Sequence, residues 1–187
     1  MIAFNAYTRL PVTGDGDVRI WNLRDLEEEP RRLATNSPHV DCLAFNHSGS
    51  ILASSGDGRI RLWDTTNHQC LADITDGSRV VESISFSPDD KTIAAGNWVG
   101  KVCLWDVQTR RRTTVLPEST CVHSVCYSTD STHLCSASDS NTLRLWDVVD
   151  RSYVVGAVSF MKQLTSRKGE RTSSRVGRGG SCSSYSG

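Results

Sequence analysis

Cysteine, histidine and aspartate do much of the chemistry open to side chains, and this 187-residue sequence sets them in two suggestive patterns. The segment Cys121-Val-His123-Ser-Val-Cys126 carries two thiols and an imidazole at a spacing that invites zinc. On a strand, however, side chains alternate, so Cys121 and His123 share one face and Cys126 takes the other. No second ligand pair follows at metal spacing, and neither a metal nor a cofactor is expected. Asp15, Asp57 and Asp139 each stand in a turn just before an apolar run that ends in tryptophan. An aspartate can orient a base for a serine nucleophile, but only if all three groups come within hydrogen-bond reach. Local turn chemistry fits the spacing better. In Gly14-Asp15-Gly16 and Gly56-Asp57-Gly58 the carboxylate can accept backbone N–H bonds, and the glycines allow positive φ. No catalytic residue and no enzyme are expected.

The elements that would hold these residues repeat along the chain. Trp21, Trp63, Trp105 and Trp146 close the runs DVRIW, RIRLW, KVCLW and TLRLW, at intervals of 42, 42 and 41 residues. Asn22, Asp64, Asp106 and Asp147 follow directly. Ahead of the last three lie VDCLAFN, VESISFS and VHSVCYS, then ILASSG, TIAAG and HLCSAS; the first unit keeps only IAFN and LPVTG. A fourth apolar run follows each tryptophan. Each run is short, alternating or continuously apolar, and bounded by turn residues such as NHSGS and SPDD. Four short antiparallel strands per unit cannot cover their own two faces, so units must stack on one another.

The period of about 42 residues, the Trp-Asp ending, the Gly-Asp turn and the V-x-x-I/V-x-F-S segment resemble the WD40 repeat family. The resemblance covers roughly residues 1–158 and implies an all-β fold: a partial β-propeller of about four four-stranded blades. Blades are expected at about 1–38, 39–79, 80–121 and 122–158, with a disordered Ser/Gly/Arg-rich tail at 159–187. Four units are few for the family, which implies a partial ring: a fragment, or half of an assembly that self-associates through open faces.

The family's turn aspartate belongs to a structural network with the strand tryptophan, a Ser/Thr and a histidine from a Gly-His pair. That histidine is missing here: Asn36, Gly77 and Glu118 stand four residues before Val40, Val81 and Val122. The network is expected to be reduced. Ungapped alignment on the tryptophans puts Trp98 at the place of Gly56 and Val99 at that of Asp57, and a one-residue insertion in the fourth turn. In the resemblance, this turn and the neighbouring strand starts are partner-contact positions, which map onto Trp98, His39, Asp41, Glu82 and His123. Together these residues imply a mildly acidic rim suited to a basic or aromatic peptide.

Charge and cysteine content bound the rest. Lys162, Arg167, Lys168, Arg171, Arg175 and Arg178 against Glu170 give the tail +5; with a net charge of zero, the remainder carries −5. An acidic body is a poor nucleic-acid binder, because that affinity rests on phosphate neutralisation. Seven scattered cysteines without a signal peptide point to reduced thiols and an intracellular place, cytoplasmic or nuclear. No apolar run reaches the ~20 residues of a membrane span. The expected function is a non-catalytic protein–protein interaction scaffold. The alternatives are a propeller enzyme with an axial site, built on the same His39, Asp41, Glu82 and His123, or binding of nucleic acid or another acidic partner through the tail.

Overall fold

The computed structural model describes residues 2–4, 11–21, 27, 29–140, 142–150 and 152–159. These form sixteen strands in four antiparallel sheets, each a simple meander. The first sheet holds β1 (Ile2–Phe4), β2 (Pro11–Asp15), β3 (Asp17–Ile20) and β4 (Arg31–Leu33). The second holds β5 (Cys42–Phe45), β6 (Ile51–Gly56), β7 (Arg59–Asp64) and β8 (Cys70–Thr75). The third holds β9 (Val81–Phe86), β10 (Thr92–Asn97), β11 (Lys101–Asp106) and β12 (Arg112–Pro117). The fourth holds β13 (Val122–Tyr127), β14 (His133–Ser138), β15 (Thr142–Asp147) and β16 (Ser152–Ser159). The described residues contain no helix. The basic stretch from Lys162 onward lies outside them.

Strand alternation explains why the sheets stack. On β7, Ile60 and Leu62 face the third sheet while Trp63 faces the first. On β11, Val102 and Leu104 face the fourth sheet while Cys103 and Trp105 face the second. The core is therefore three slabs, one between each pair of consecutive sheets, and the central strands are apolar on both faces because both are covered. Ile60, Leu62, Val102 and Leu104 are at most 2% exposed. Such side chains contribute about 1.5–3 kcal/mol each by burial. Leu143 and Leu145 hold the matching places on β15 and are only half-buried. The first strands pack in series, β1 on β5, β5 on β9 and β9 on β13, and form the inner wall of the arc.

The tryptophans occupy one structural place. Trp63, Trp105 and Trp146 pair with Leu52, Ile93 and Leu134 of the preceding strand. On the following strand each meets a β-bulge just before it. The aspartate after each tryptophan closes the next hairpin. Asp64 accepts the N–H groups of Thr66 (2.7 Å) and Asn67 (3.1 Å). Asp106 accepts Thr109 N–H at 2.6 Å, and Asp147 accepts Val149 (2.9 Å) and Asp150 (2.8 Å). The Trp-Asp pair thus joins a core side chain to a turn cap.

Polar ties link neighbouring sheets. Ser55 Oγ donates to Val81 O at 2.9 Å, and Val125 N–H donates to Ser83 Oγ at 3.1 Å. Asp90 reaches from the third sheet to accept from Asn46 Nδ2 (3.1 Å), His47 N (2.6 Å) and Ser48 N (2.9 Å) of the second. Gly96 lets the third and fourth sheets approach closely. A Cβ there would sit 2.6 Å from Val122 Cγ1.

Candidate functional site

The turn that carries Trp98 corrects the ungapped alignment. Ser55 pairs with Ile60, Gly96 with Val102 and Ala137 with Leu143, so the third and fourth turns are each one residue longer than the second. Counting from the paired strands, Trp98 takes the place of Asp57 and Asp139, not that of Gly56. The backbone agrees: Trp98 N–H donates to Val80 O (3.3 Å) as Asp139 N–H donates to Cys121 O (3.0 Å). The extra residue is Val99, and the turn closes on Gly100 at φ 73°, as the second does on Gly58 at φ 70°. The sequence placed an insertion only in the fourth turn, because the glycine pattern of the third hides the added residue.

Why the third turn can do without its aspartate is now visible. Asn97, fully buried, caps the turn: its Oδ1 accepts Lys101 N–H at 2.9 Å and its Nδ2 donates to Asp76 Oδ2 at 2.6 Å. Asp76 is held in turn by Ser78 N–H and Oγ, both at 2.7 Å. Trp98 is released to the surface and is 57% exposed, next to Val99 at 60%. Its indole Nε1 donates to Glu82 Oε1.

Two of the other turn aspartates have side-chain partners of their own. Asp57 accepts from Ser37 Oγ at 2.9 Å, and Asp139 meets His123 Nε2 at 2.5 Å. Asp15 pairs with Asp17 across the first turn. Trp63 and Trp146 donate to Ser54 Oγ (2.9 Å) and Ser136 Oγ (2.8 Å). In the third sheet Ala95 holds that place, paired with Cys103. Behind Ser136 lies a residue whose role sequence reasoning missed. Glu118, at the position of the absent histidine, has a side chain with 0% exposure. Its carboxylate accepts from Ser136 Oγ and from Arg144 Nη1. The fourth network is therefore rebuilt around a carboxylate rather than reduced. The signal was present: Arg144 stands two residues before Trp146, facing the one acidic residue of the four-before-valine set.

Asp41, Glu82 and His123 are equivalent residues, each one past the first valine of its unit, on the adjacent strands β5, β9 and β13 or just ahead of them. The structure brings them into one electrostatic neighbourhood with Glu82 at the centre. Burial, then the Glu82 charge and Asp57, push the Asp41 carboxyl up from its ordinary range, against the pull of the exposed His39. The hydrogen bond with Asp139 raises the His123 imidazole, and the Asp139 and Glu82 charges add to that. Trp98 joins the group through Glu82. Trp98, Asp41 and His123 are thus each tied to Glu82, and His39 acts on Asp41.

Cys121 is the unexpected member. Its Sγ lies 3.9 Å from His123 Nδ1, and burial, Asp139 and Glu82 all push its thiol up. Asp139 arrives from the β14–β15 turn, which a search for ligand pairs along a single strand cannot see. Away from the rim, a hollow between the second and third sheets is lined by Ile51, Leu62, Leu71, Asp90, Lys91 and Asp106. Its carboxylates are engaged as described: Asp90 ties two sheets and Asp106 caps a hairpin.

Comparison with known proteins agrees with this architecture. The sequence pattern of the family described as WD domain, G-beta repeat matches residues 30–64, 68–106 and 110–147. With the four stacked meanders and the recurrent tryptophan register, this places the chain in the WD40 repeat family. It is 31% identical over 143 residues to Meiotic recombination protein rec14 of Schizosaccharomyces pombe, covering 74% of this chain and 47% of that protein. It is 25% identical over 149 residues to Target of rapamycin complex subunit wat1 of the same organism, covering 75% and 47%. It is 26% identical over 112 residues to Small ribosomal subunit protein RACK1y of Oryza sativa, covering 58% and 33%. The chain spans less than half the length of these relatives.

Proposed function

We propose that this chain is a non-catalytic interaction scaffold whose rim, at Trp98, Val99, Glu82 and Asp41, receives a basic peptide segment of a protein partner. The observation that carries this reading is the pair of apolar side chains, Trp98 and Val99, more than half exposed, with the indole bonded to Glu82, whose charge also acts on Asp41. An exposed indole face attracts a guanidinium or ammonium group, and a desolvated aromatic is a frequent interface anchor. A cation between Asp41 and Glu82 would also relieve the repulsion that raises Asp41. His39 and His123 flank this centre. Relatives named as a ribosomal subunit protein and as a complex subunit support both the scaffold reading and an intracellular place.

The test is calorimetric titration of the whole chain with a panel of short Arg/Lys peptides, with and without an aromatic residue, and their acidic counterparts. Basic peptides should bind, and Trp98→Ala and Glu82→Gln should each weaken binding at least tenfold, about 1.4 kcal/mol. If Trp98→Ala, Glu82→Gln and Asp41→Asn all bind as the unaltered chain does, the rim is not the contact surface.

A further inference from the structure

We propose that Cys121, His123 and Asp139 form a binding site for one zinc-class divalent cation, at the junction of the β13 start and the β14–β15 turn. Each residue presents one ligand atom, a thiol sulfur, an imidazole nitrogen and a carboxylate oxygen, all within 4.8 Å of one another. It is the only such grouping of three among the described residues. Sulfur, nitrogen and oxygen donors together suit Zn²⁺ or Co²⁺ and do not suit Mg²⁺ or Ca²⁺, which take oxygen.

The frame that carries these atoms is fixed by backbone bonds. Asp139 N–H donates to Cys121 O at 3.0 Å, and Ser140 N–H donates to Thr120 Oγ1 at 3.0 Å, so turn and strand start are pinned together. His123 lies two residues on, inside β13; its Nε2 meets Asp139 at 2.5 Å and its Nδ1 lies 3.9 Å from Cys121 Sγ, so one ring turn or a shift of Asp139 brings both partners to one nitrogen. Zinc bonds of about 2.0–2.3 Å in a tetrahedron put sulfur, nitrogen and oxygen ligand atoms roughly 3.3–3.6 Å apart. Closing from 4.8 Å therefore asks for about 1 Å of side-chain adjustment. His123 and Asp139 have that freedom, with side chains 51% and 58% exposed.

The donor set argues for a cation. A Cys-His-Asp set could act as an acyl-transfer triad, but that needs a ready thiolate. Here the sulfur lies 3.9 Å from His123 Nδ1, while Asp139 engages the opposite ring nitrogen, so all three groups converge around one ring as donors. A divalent ion would be bound by the thiolate. Cys121 gives up its thiol proton to solvent, the sulfur lone pair goes to the metal, and water fills the open position. Glu82 remains on Trp98 and adds long-range attraction. The site does not depend on the peptide reading above.

The experiment is titration of the reduced full-length chain with Co²⁺ and then Zn²⁺, followed by optical absorption. One equivalent of Co²⁺ should give a thiolate-to-metal charge-transfer band, which Zn²⁺ displaces. Cys121→Ser should abolish the band; His123→Asn and Asp139→Asn should weaken binding at least tenfold; Cys126→Ser should leave it unchanged. In the unaltered chain, Zn²⁺ should slow alkylation of Cys121 and spare the rate at the exposed Cys126, read by mass spectrometry. A band that survives Cys121→Ser, absence of any band, or equal alkylation of Cys121 with and without Zn²⁺ would each overturn the site. Rapid alkylation of Cys121 in metal-free protein, faster than Cys126, would favour the nucleophile instead.

Discussion

Removing the Glu118 carboxylate should be among the most damaging single changes to the fourth sheet. Its side chain has 0% exposure, and its partner Arg144 has 19%. Taking one member from a buried ion pair costs roughly 3–5 kcal/mol, mostly because the remaining charge is stranded. Arg144 softens that here. Its Nη2 donates to Ser119 Oγ at 3.0 Å, and its residual exposure lets water in. The expectation for Glu118→Ala is therefore about 3 kcal/mol, the lower end of the range. That is a large part of the 5–15 kcal/mol that holds a typical domain. Ser136→Ala removes the hydroxyl that links Trp146 to Glu118 and should cost about 1–3 kcal/mol. The two residues act in one chain, so the double variant should lose less than the sum, with a coupling of at least 0.5 kcal/mol. Urea unfolding followed by tryptophan fluorescence measures all four corners of the cycle. Glu118→Ala within 0.5 kcal/mol of the unaltered chain, or strict additivity with Ser136→Ala, would refute the view that Glu118 took over the missing histidine's place.

Gly58→Ala should destabilise by more than 2 kcal/mol in the same assay. Positive φ costs about 1–2 kcal/mol, and the new Cβ would fall 1.9 Å from Ser78 O, which forces the backbone to move. Asp90→Asn keeps a side chain that tolerates φ 60° but removes the charge from three hydrogen bonds between the second and third sheets; a loss of about 1 kcal/mol is expected. Carboxyl titration by NMR should place Asp64 and Asp106 below the ordinary aspartate value of about 3.9, because backbone N–H groups of Asn67, Thr66 and Thr109 favour the ionised form. A depressed folded-state value means that the caps contribute above the unfolded value and are lost as pH falls through the folded one. Midpoints at or above 3.9 would mean that the caps do not form in solution. The buried Tyr127 hydroxyl, bonded to Thr92 Oγ1 at 3.0 Å, should ionise only at about pH 12, visible as one late step in an alkaline ultraviolet titration.

How far the sequence could be read depended on whether a feature repeats. Trp63, Trp105 and Trp146 were legible because each sits in the same register, beside the same bulge, under the same neighbour. A constraint met three times leaves three copies in the text. The aspartate behind each tryptophan was legible for the same reason, while its capping of the next hairpin came only from the structure. Harder to read is where each unit meets the shared demand in its own way. Three sheets must satisfy buried groups at the same corner. One uses Ser37 with Asp57, the next Asn97 with Asp76, and the last Glu118 with Ser136 and Arg144. Each solution joins residues from segments about twenty apart in the chain, so no window along the sequence contains it. Trp98 belongs to the same logic. Once Asn97 closed the turn and Val99 lengthened it, the aspartate's place no longer had a duty to the fold, and a side chain chosen for the surface could occupy it. The rim is where repeats are free to differ, and both proposed sites lie there: the indole beside Glu82, and the thiol, imidazole and carboxylate one sheet further on.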